Sequence, residues 1–124
     1  MADAKRTVLD FFDLAFNQQK PAEARERFMG STYTQHNPEV PDGPDTFVGA
    51  IGGMFEQFPD FSSDIKRVIA EDDLVAIHHE VHMTSDDAGM SVVDIFRVDG
   101  DKVVEHWDII QPVPVEAANS NTMF

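Results

Sequence analysis

The segment Lys102–Pro112 places ionisable side chains in the middle of a β-rich stretch that reads Lys-Val-Val-Glu-His-Trp-Asp-Ile-Ile-Gln-Pro. Turn residues bound it, with Asp99-Gly100 before it and Pro112 at its end. A strand with ionisable groups at its centre is either solvated on one face or lines a site. We interpret it as lining a site, with Asp108 at the bottom of a pocket.

A second carboxylate, Asp94, lies in the apolar run Val-Val-Asp-Ile-Phe, where an unpaired charge is costly to bury. The hairpin that joins the two segments decides whether the carboxylates share a face. A two-residue loop would pair Asp94 with Glu105, whereas a loop one residue longer would pair Asp94 with His106. The longer loop gathers one mostly apolar face, made of Val92, Asp94, Phe96, Val104, His106, Asp108 and Ile110. Such a wall is typical of a small-molecule pocket and would raise the proton affinity of at least one carboxylate, as acid–base chemistry needs. A solvent-facing Asp94 is the alternative.

Histidines cluster in His78-His79-Glu80-Val81-His82. The cluster is one residue too short for the His-Glu-x-x-His zinc helix, and it lies in a strand pattern. In a strand, His78, Glu80 and His82 share one face. A metal site completed by His106 or Asp94 is one possibility, and a polar strand face with one or two pocket histidines is the other. We expect the latter, with His78 in the pocket and neither a metal nor a cofactor.

One further histidine, His36, lies in the loop Tyr-Thr-Gln-His-Asn-Pro and is positioned to close over a cavity. An exposed loop histidine is the alternative. The sequence contains no serine elbow, phosphate-binding loop or dinucleotide fingerprint.

The elements that must position these residues fall into two blocks. Periodicity predicts helices over 3–17, 21–28 and 45–58, a brief extended piece over 31–37, and strands over 61–70, 74–83, 88–98 and 102–111. The third helix contains Gly49, Gly52 and Gly53, which close approach to a strand would explain. Short links between consecutive strands predict an antiparallel meander, hence an α+β domain over 1–124 with helices on one face of a curved sheet. The apolar end Met123-Phe124 is expected to fold back over the body or a partner chain, or else to be disordered.

The composition of the chain argues against some classes of binding partner. The chain of 124 residues has 9 basic and 23 acidic residues, for a formal net charge of −14, which argues against nucleic acid and anionic membranes. It contains no cysteine and no apolar run of the signal-peptide or membrane-spanning kind. We therefore expect a cytoplasmic protein with a small-molecule ligand.

Three segments give the chain a family resemblance. Tyr33-Thr-Gln-His-Asn-Pro, Asp94-Ile-Phe-Arg-Val-Asp-Gly and Lys102-Val-Val-Glu-His-Trp-Asp make it resemble the SnoaL-like polyketide cyclases of the NTF2-like superfamily over nearly its whole length. The Asn-Thr-Met-Phe end is similar to that of the SnoaL-like aldol-condensation branch. The resemblance implies a conical α+β fold, with three N-terminal helices in a curved antiparallel sheet around a deep pocket. It also implies a homodimer packed through the outer sheet face.

The resemblance also implies roles for residues. Asp108 falls on the aspartate that serves these cyclases as acid/base in an intramolecular aldol closure. Asp94 falls on a pocket histidine of those enzymes, so a carboxylate replaces it here. The related limonene epoxide hydrolases also carry an aspartate at the Asp108 position, but their Asp–Arg–Asp arrangement is not evident, because the second strand offers His78 and Glu80 instead.

The leading hypothesis is a cofactor-independent enzyme, of lyase or isomerase type, that enolises or cyclises a carbonyl compound. Its catalytic residues would be Asp108 and Asp94, and its pocket residues would be Tyr33, His36, His78, Phe96 and His106. The alternative is a non-catalytic small-ligand-binding module, because one fold hosts many functions. A metal-dependent protein using His78, His82 or His106 is the third reading.

Overall fold

The computed structural model describes residues 3–124, and three helices come first in it. Helix α1 spans Ala4–Phe12 and continues as a π-helical turn over Asp13–Asn17, so the predicted first helix has two backbone conformations. Helices α2, Pro21–Phe28, and α3, Pro44–Gln57, each begin with a proline, whose missing N–H has no partner in a first helical turn anyway. The predicted helices are therefore present with small shifts at their ends.

Five strands form one sheet, namely β1 Met29–Gln35, β2 Ser62–Glu71, β3 Leu74–His82, β4 Met90–Asp99 and β5 Lys102–Pro112. Their order across the sheet is β1-β5-β4-β3-β2. Strands β2 to β5 form the predicted antiparallel meander, but β1 runs parallel to β5, so the sheet is mixed. The α+β class is confirmed, with three helices and a curved sheet of five strands.

The β4–β5 hairpin has neither of the two predicted registers. Asp94 pairs directly with Asp108, and the pairing shifts between Arg97 and Val98. Arg97 pairs with Glu105 while Val98 pairs with Val103, which leaves the intervening Val104 as a bulged residue. The bulge moves Val103 rather than Val104 into the core, where it is fully buried. Side-chain alternation beyond the bulge still places Asp94, His106 and Asp108 on one face.

The core lies between the helices and the concave face of the sheet. Phe11 of α1 makes an edge contact with Phe96 of β4, with ring centroids 5.6 Å apart, and both rings are buried. The glycines of α3 play no part in this packing: a Cβ added at Gly49, Gly52 or Gly53 would meet nothing within 4 Å. The expected close approach to a strand is therefore wrong.

The outer face of the sheet carries exposed apolar side chains. Ile69 and Ile109 are 66% and 67% exposed. The chain end folds back onto this face, where the Phe124 ring lies 6.4 Å from the His78 ring and 5.9 Å from Lys66 Nζ. None of the helices within residues 3–124 is long and apolar enough to cross a membrane.

Candidate active site

A cavity of about 310 Å³ opens between the helices and the concave face of the sheet. Phenylalanine, methionine and aliphatic side chains make up most of its wall. Its polar lining groups come from β1, the loop after it, β3, β4 and β5, and they are Tyr33, Gln35, Asn37, His79, Asp94, His106 and Asp108. The fold therefore brings polar groups from distant parts of the chain into one apolar cavity.

Asp108 is held by the side-chain amide of Asn37. The Asn37 Nδ2 group donates to both carboxylate oxygens, at 3.1 and 3.0 Å. The amide orientation follows from the backbone N–H of Glu39, which donates to Asn37 Oδ1 at 2.9 Å. Each carboxylate oxygen has a second lone pair, so Asp108 keeps the capacity to accept a proton from a ligand.

Asp94 is buried between two imidazole rings. Its Oδ2 lies 2.5 Å from His79 Nε2, and its Oδ1 lies 2.7 Å from His106 Nε2. Burial acts to raise the pKa of the Asp94 carboxyl, but the hydrogen bonds with His106 and His79 outweigh burial, and the pKa is lowered. At Asp94 the pKa is therefore not raised, and the expectation that at least one carboxylate of this wall has a raised proton affinity stays a prediction.

His106 connects the two carboxylates. Its Nδ1 lies 2.6 Å from Gln35 Oε1, and its Nε2, which is bonded to Asp94, lies 4.0 Å from Asp108 Oδ2. The same Gln35 oxygen accepts the backbone N–H of Asn37 at 3.0 Å. A single network therefore links Asp94 through His106 and Gln35 to the backbone of the residue that holds Asp108.

Tyr33 adds a hydroxyl to this end of the cavity. Burial raises the pKa of Tyr33 well above its usual value of 10.0, and the negative charges of Asp94 and Asp108 raise it further. The hydroxyl therefore stays protonated at neutral pH and is available as a hydrogen-bond donor.

A metal ion fits this cluster poorly. One ligand atom from each of Asp94, His106 and Asp108 lies within 4.8 Å of the others. However, both ring nitrogens of His106 already have oxygen partners, at 2.6 and 2.7 Å. Both ring nitrogens are thus already engaged, so the cluster is organised as a hydrogen-bond network.

Five of the predicted site residues line the cavity, and two do not. The five are Tyr33, Asp94, Phe96, His106 and Asp108. His78 points to the outer face of β3, where its Nε2 lies 2.8 Å from Ser91 Oγ and its Nδ1 contacts Arg67. Its placement in the pocket was wrong, because the buried residues of β3 have odd numbers. The metal site that combined His78 and His82 with His106 or Asp94 is wrong for the same reason, since these pairs lie on opposite faces.

The prediction that His36 closes over the cavity is also wrong. Its ring stacks on Trp107 with centroids 4.7 Å apart, and its Nε2 bonds to Glu105 Oε2 at 2.7 Å. Both partners lie on the side of β5 away from the cavity. His36 therefore packs against the outer side of β5, outside the cavity.

Three of the seven polar lining residues were missed, namely Gln35, Asn37 and His79. Signals for them exist in the sequence. Val75, Ile77 and Val81 alternate and mark the buried face of β3, which includes His79. Gln35 and Asn37 share the parity of Tyr33 and so lie on its side of an extended segment.

Solved structures that share this fold include the following three. A protein from Acidithiobacillus ferrooxidans, provisionally named a polyketide cyclase, has a TM-score of 0.72 at 21% identity, over 88% of each chain. TsrD from Streptomyces laurentii has a TM-score of 0.73 at 19% identity, over 89% of this chain and 91% of its own. An NTF2-like protein of unknown function from Cytophaga hutchinsonii has a TM-score of 0.69 at 14% identity, over 90% of this chain and 93% of its own.

At these identities the structures establish the fold alone, and no functionally curated protein matches the chain. The family model described as SnoaL-like polyketide cyclase matches residues 6–119. That match covers the sheet, every residue that lines the cavity and the helices except the first two residues of α1. The chain therefore belongs to the SnoaL-like polyketide cyclase family.

Proposed function

We propose that this protein is a cofactor-independent enzyme that moves a proton at a carbon next to a carbonyl group, with Asp108 as the acid/base. The observation that carries the proposal is the position of Asp108, a carboxylate in an otherwise mostly apolar cavity beside the Asp94–His106 pair. An apolar surrounding strengthens the electrostatic interactions that stabilise a developing enolate.

The proposed reaction is enolisation, followed by reprotonation or by an aldol-type closure. The C–H bond next to the carbonyl breaks, its proton moves to Asp108, and its electron pair forms the carbon–carbon double bond of the enolate. The Tyr33 O–H, which lines the same cavity, is the group available to donate to the carbonyl oxygen. In an aldol closure the enolate carbon attacks a second carbonyl, and Asp108 returns the proton to the alkoxide that forms.

The lining also supports a neutral substrate. Asp94 and Asp108 are both acidic, and among residues 3–124 no lysine or arginine lines the cavity. The whole chain carries a formal net charge of −14, which repels anions further. A cavity of about 310 Å³ lies at the small end of the range for ligand pockets. We therefore expect a small neutral ketone or dicarbonyl compound rather than a carboxylate or phosphate ester.

Deuterium exchange tests the reaction without knowledge of the natural substrate. A panel of neutral ketones and 1,3-dicarbonyl compounds is incubated with protein in D₂O, and exchange at the carbon next to the carbonyl is followed by NMR. Asp108→Asn should slow enzyme-dependent exchange about 10²–10⁴-fold, the usual contribution of a general base. Asp101→Asn makes the same chemical change at the exposed turn before β5 and should leave exchange unchanged. Equal exchange rates in wild type and Asp108→Asn would remove Asp108 from the mechanism.

The second candidate is a binding module without catalysis. The mostly apolar wall favours it, because such a wall suffices to hold a ligand. Native mass spectrometry of protein from its own host would give the mass of any retained compound. Recovery of that compound unchanged after long incubation would favour binding over catalysis.

We also propose that the protein acts as a homodimer through the outer face of the sheet. The exposed side chains Ile69, Leu74 and Ile109 support this, since apolar surface of this kind is stabilised by coverage. Sedimentation analysis should give a dimer that Ile109→Asp dissociates. Val115→Asp, at a fully exposed tail position, is the matched control and should remain dimeric.

A further inference from the structure

The two histidines that contact Asp94 differ in their second partners, and this difference assigns their protons. His79 Nδ1 lies 2.8 Å from the hydroxyl of Ser63, which can donate or accept. His106 Nδ1 lies 2.6 Å from the side-chain oxygen of Gln35, which can only accept. The ring of His106 must therefore carry a proton on Nδ1.

The orientation of the Gln35 amide is settled by its surroundings. The backbone N–H of Asn37 donates to the same atom at 3.0 Å. An amide NH₂ in that place would direct donors at a donor, so the atom is the oxygen. The Nδ1 proton of His106 thus follows from a main-chain contact and does not depend on an arbitrary choice of amide orientation.

The other nitrogen of His106 faces an anion. Asp94 Oδ1 lies 2.7 Å from His106 Nε2, and its second oxygen is held at 2.5 Å by His79 Nε2. A carboxylate that accepts hydrogen bonds at both oxygens is stabilised in its ionised form. An ionised Asp94 requires the proton of this contact to lie on His106 Nε2, so both nitrogens of that ring are protonated.

We propose that His79 is a positioning residue: its Nε2–H holds Asp94 as an ionised acceptor, and Asp94 in turn holds His106 as a doubly protonated imidazolium beside Asp108. His79 itself is then neutral, with its proton on Nε2 and its Nδ1 accepting from Ser63. The groups that face His106 are Asp94 from β4, Asp108 from its own strand β5, and Gln35 and Tyr33 from β1. None of them is a cation, so the imidazolium has no like-charged neighbour among them.

This arrangement separates proton transfer from charge stabilisation, a consequence that rests on the proposed function. Asp108 takes the proton from carbon, the C–H electron pair forms the carbon–carbon double bond, and the carbonyl π pair moves onto the oxygen. His106 keeps both of its protons in the hydrogen bonds to Gln35 and Asp94, and its positive charge stabilises the enolate. Asp108 then returns the proton to carbon, so protons and charge balance over the cycle.

The proton count on His106 is measured directly by long-range ¹H–¹⁵N correlation of the histidine rings in ¹⁵N-labelled protein at pH 7. We expect both ring nitrogens of His106 to be protonated, and His79 to be neutral with its proton on Nε2. An unprotonated Nε2 on His106 would overturn the proposal. No substrate is needed, so a failure of the deuterium-exchange assay with an intact imidazolium would reject the proposed function and leave this inference standing.

Variants test the role of His79. His79→Leu removes the donor to Asp94 and should convert His106 to the neutral form protonated on Nδ1 alone. His79→Gln can still donate from its side-chain amide and should restore the doubly protonated ring. Wild-type-like spectra for His79→Leu, or no rescue by His79→Gln, would overturn the positioning role. Asp94→Asn, which is isosteric, gives a second route: His106 should lose its second proton, and its retention would likewise overturn the proposal.

Discussion

Replacing Gly89 by alanine should destabilise the β3–β4 hairpin by more than backbone strain alone. Gly89 has a φ of +88°, and a Cβ there would lie 2.8 Å from Cε1 of His82. The His82 ring has little freedom to move away, because Nδ1 is bonded to Asp87 Oδ1 at 2.7 Å and Nε2 to Glu80 Oε2 at 2.6 Å. The added methyl group must therefore displace the ring or the loop.

The expected loss in the free energy of unfolding has two contributions. A positive φ costs a non-glycine residue about 1–2 kcal/mol. Insertion of a methyl group into a space that cannot expand costs typically about 1–3 kcal/mol. Together they predict a loss of about 2–5 kcal/mol for Gly89→Ala, or a fall in Tm of about 4 °C for each kcal/mol. Gly100→Ala is the matched control, since Gly100 has a φ of +65° but a Cβ added there would meet nothing within 4 Å, and it should lose only about 1–2 kcal/mol.

The stability that Gly89→Ala loses beyond the loss in Gly100→Ala should depend on pH. Hydrogen bonds with Glu80 and then Asp87 raise the pKa of His82, so its stabilising contribution is complete below its unfolded value of 6.5 and disappears as pH rises through the folded value. The pKa of Glu80 is lowered, chiefly by the hydrogen bond with His82, so the contribution of Glu80 is present above its usual 4.5 and is lost on acidification. The contact between His82 and its carboxylates is therefore fullest between about pH 4.5 and 6.5.

Urea unfolding at pH 5.5 and pH 9 measures the loss of stability and its pH dependence. Unfolding is followed by the fluorescence of Trp107, the only tryptophan in the chain. Gly89→Ala should lose more stability relative to wild type at pH 5.5 than at pH 9, whereas Gly100→Ala should lose the same at both. Equal losses for the two variants at both pH values would refute the role of the His82 contact.

Two further predictions concern the cavity. Tyr33 is the only tyrosine, so ultraviolet titration reports it alone: the folded protein should show almost no phenolate at pH 10, where urea-unfolded protein is about half ionised. Early phenolate absorbance in folded protein would contradict the burial of Tyr33 beside two carboxylates. Phe96→Ala should lower the free energy of unfolding by about 3–5 kcal/mol, because the ring is buried against Phe11 and Phe12, whereas Phe124→Ala on the outer face should lose far less. Comparable urea midpoints for the two variants would contradict that assignment of the core.

Local patterns in the sequence were sufficient for much of the fold and for part of the site. Period-2 alternation correctly placed Asp94, His106 and Asp108 on one face, although the register was unknown. A shift of the register by two residues leaves every side chain on the same face of the sheet. The three residues therefore share a face even though the predicted register was wrong. Proline at the helix starts and the short links of the meander were equally local signals.

The remaining features depend on contacts that no short window contains. The parallel pairing of β1 with β5 joins segments that are far apart in the chain, and the bulge at Val104 decides which of two adjacent valines enters the core. His36 has the right chemistry for a pocket but the wrong parity, and the amides Gln35 and Asn37 occupy the positions beside it. In β3, the spacing of His78, Glu80 and His82 suggested ligands, but these residues lie on the outer face. The alternation of apolar residues along the strand already indicated that His79 lies on the buried face.

The pairing of β1 with β5 has a consequence for how the protein is made. The ladder between these strands is irregular between Met29 and Thr34, and the contacts from His106 to Gln35 and from Asn37 to Asp108 each span 71 residues of chain. The same side chains therefore attach the first strand to the last and build the polar end of the cavity. During synthesis neither the complete sheet nor the site can exist until the last strand has left the ribosome, so acquiring the fold and acquiring the site are a single event.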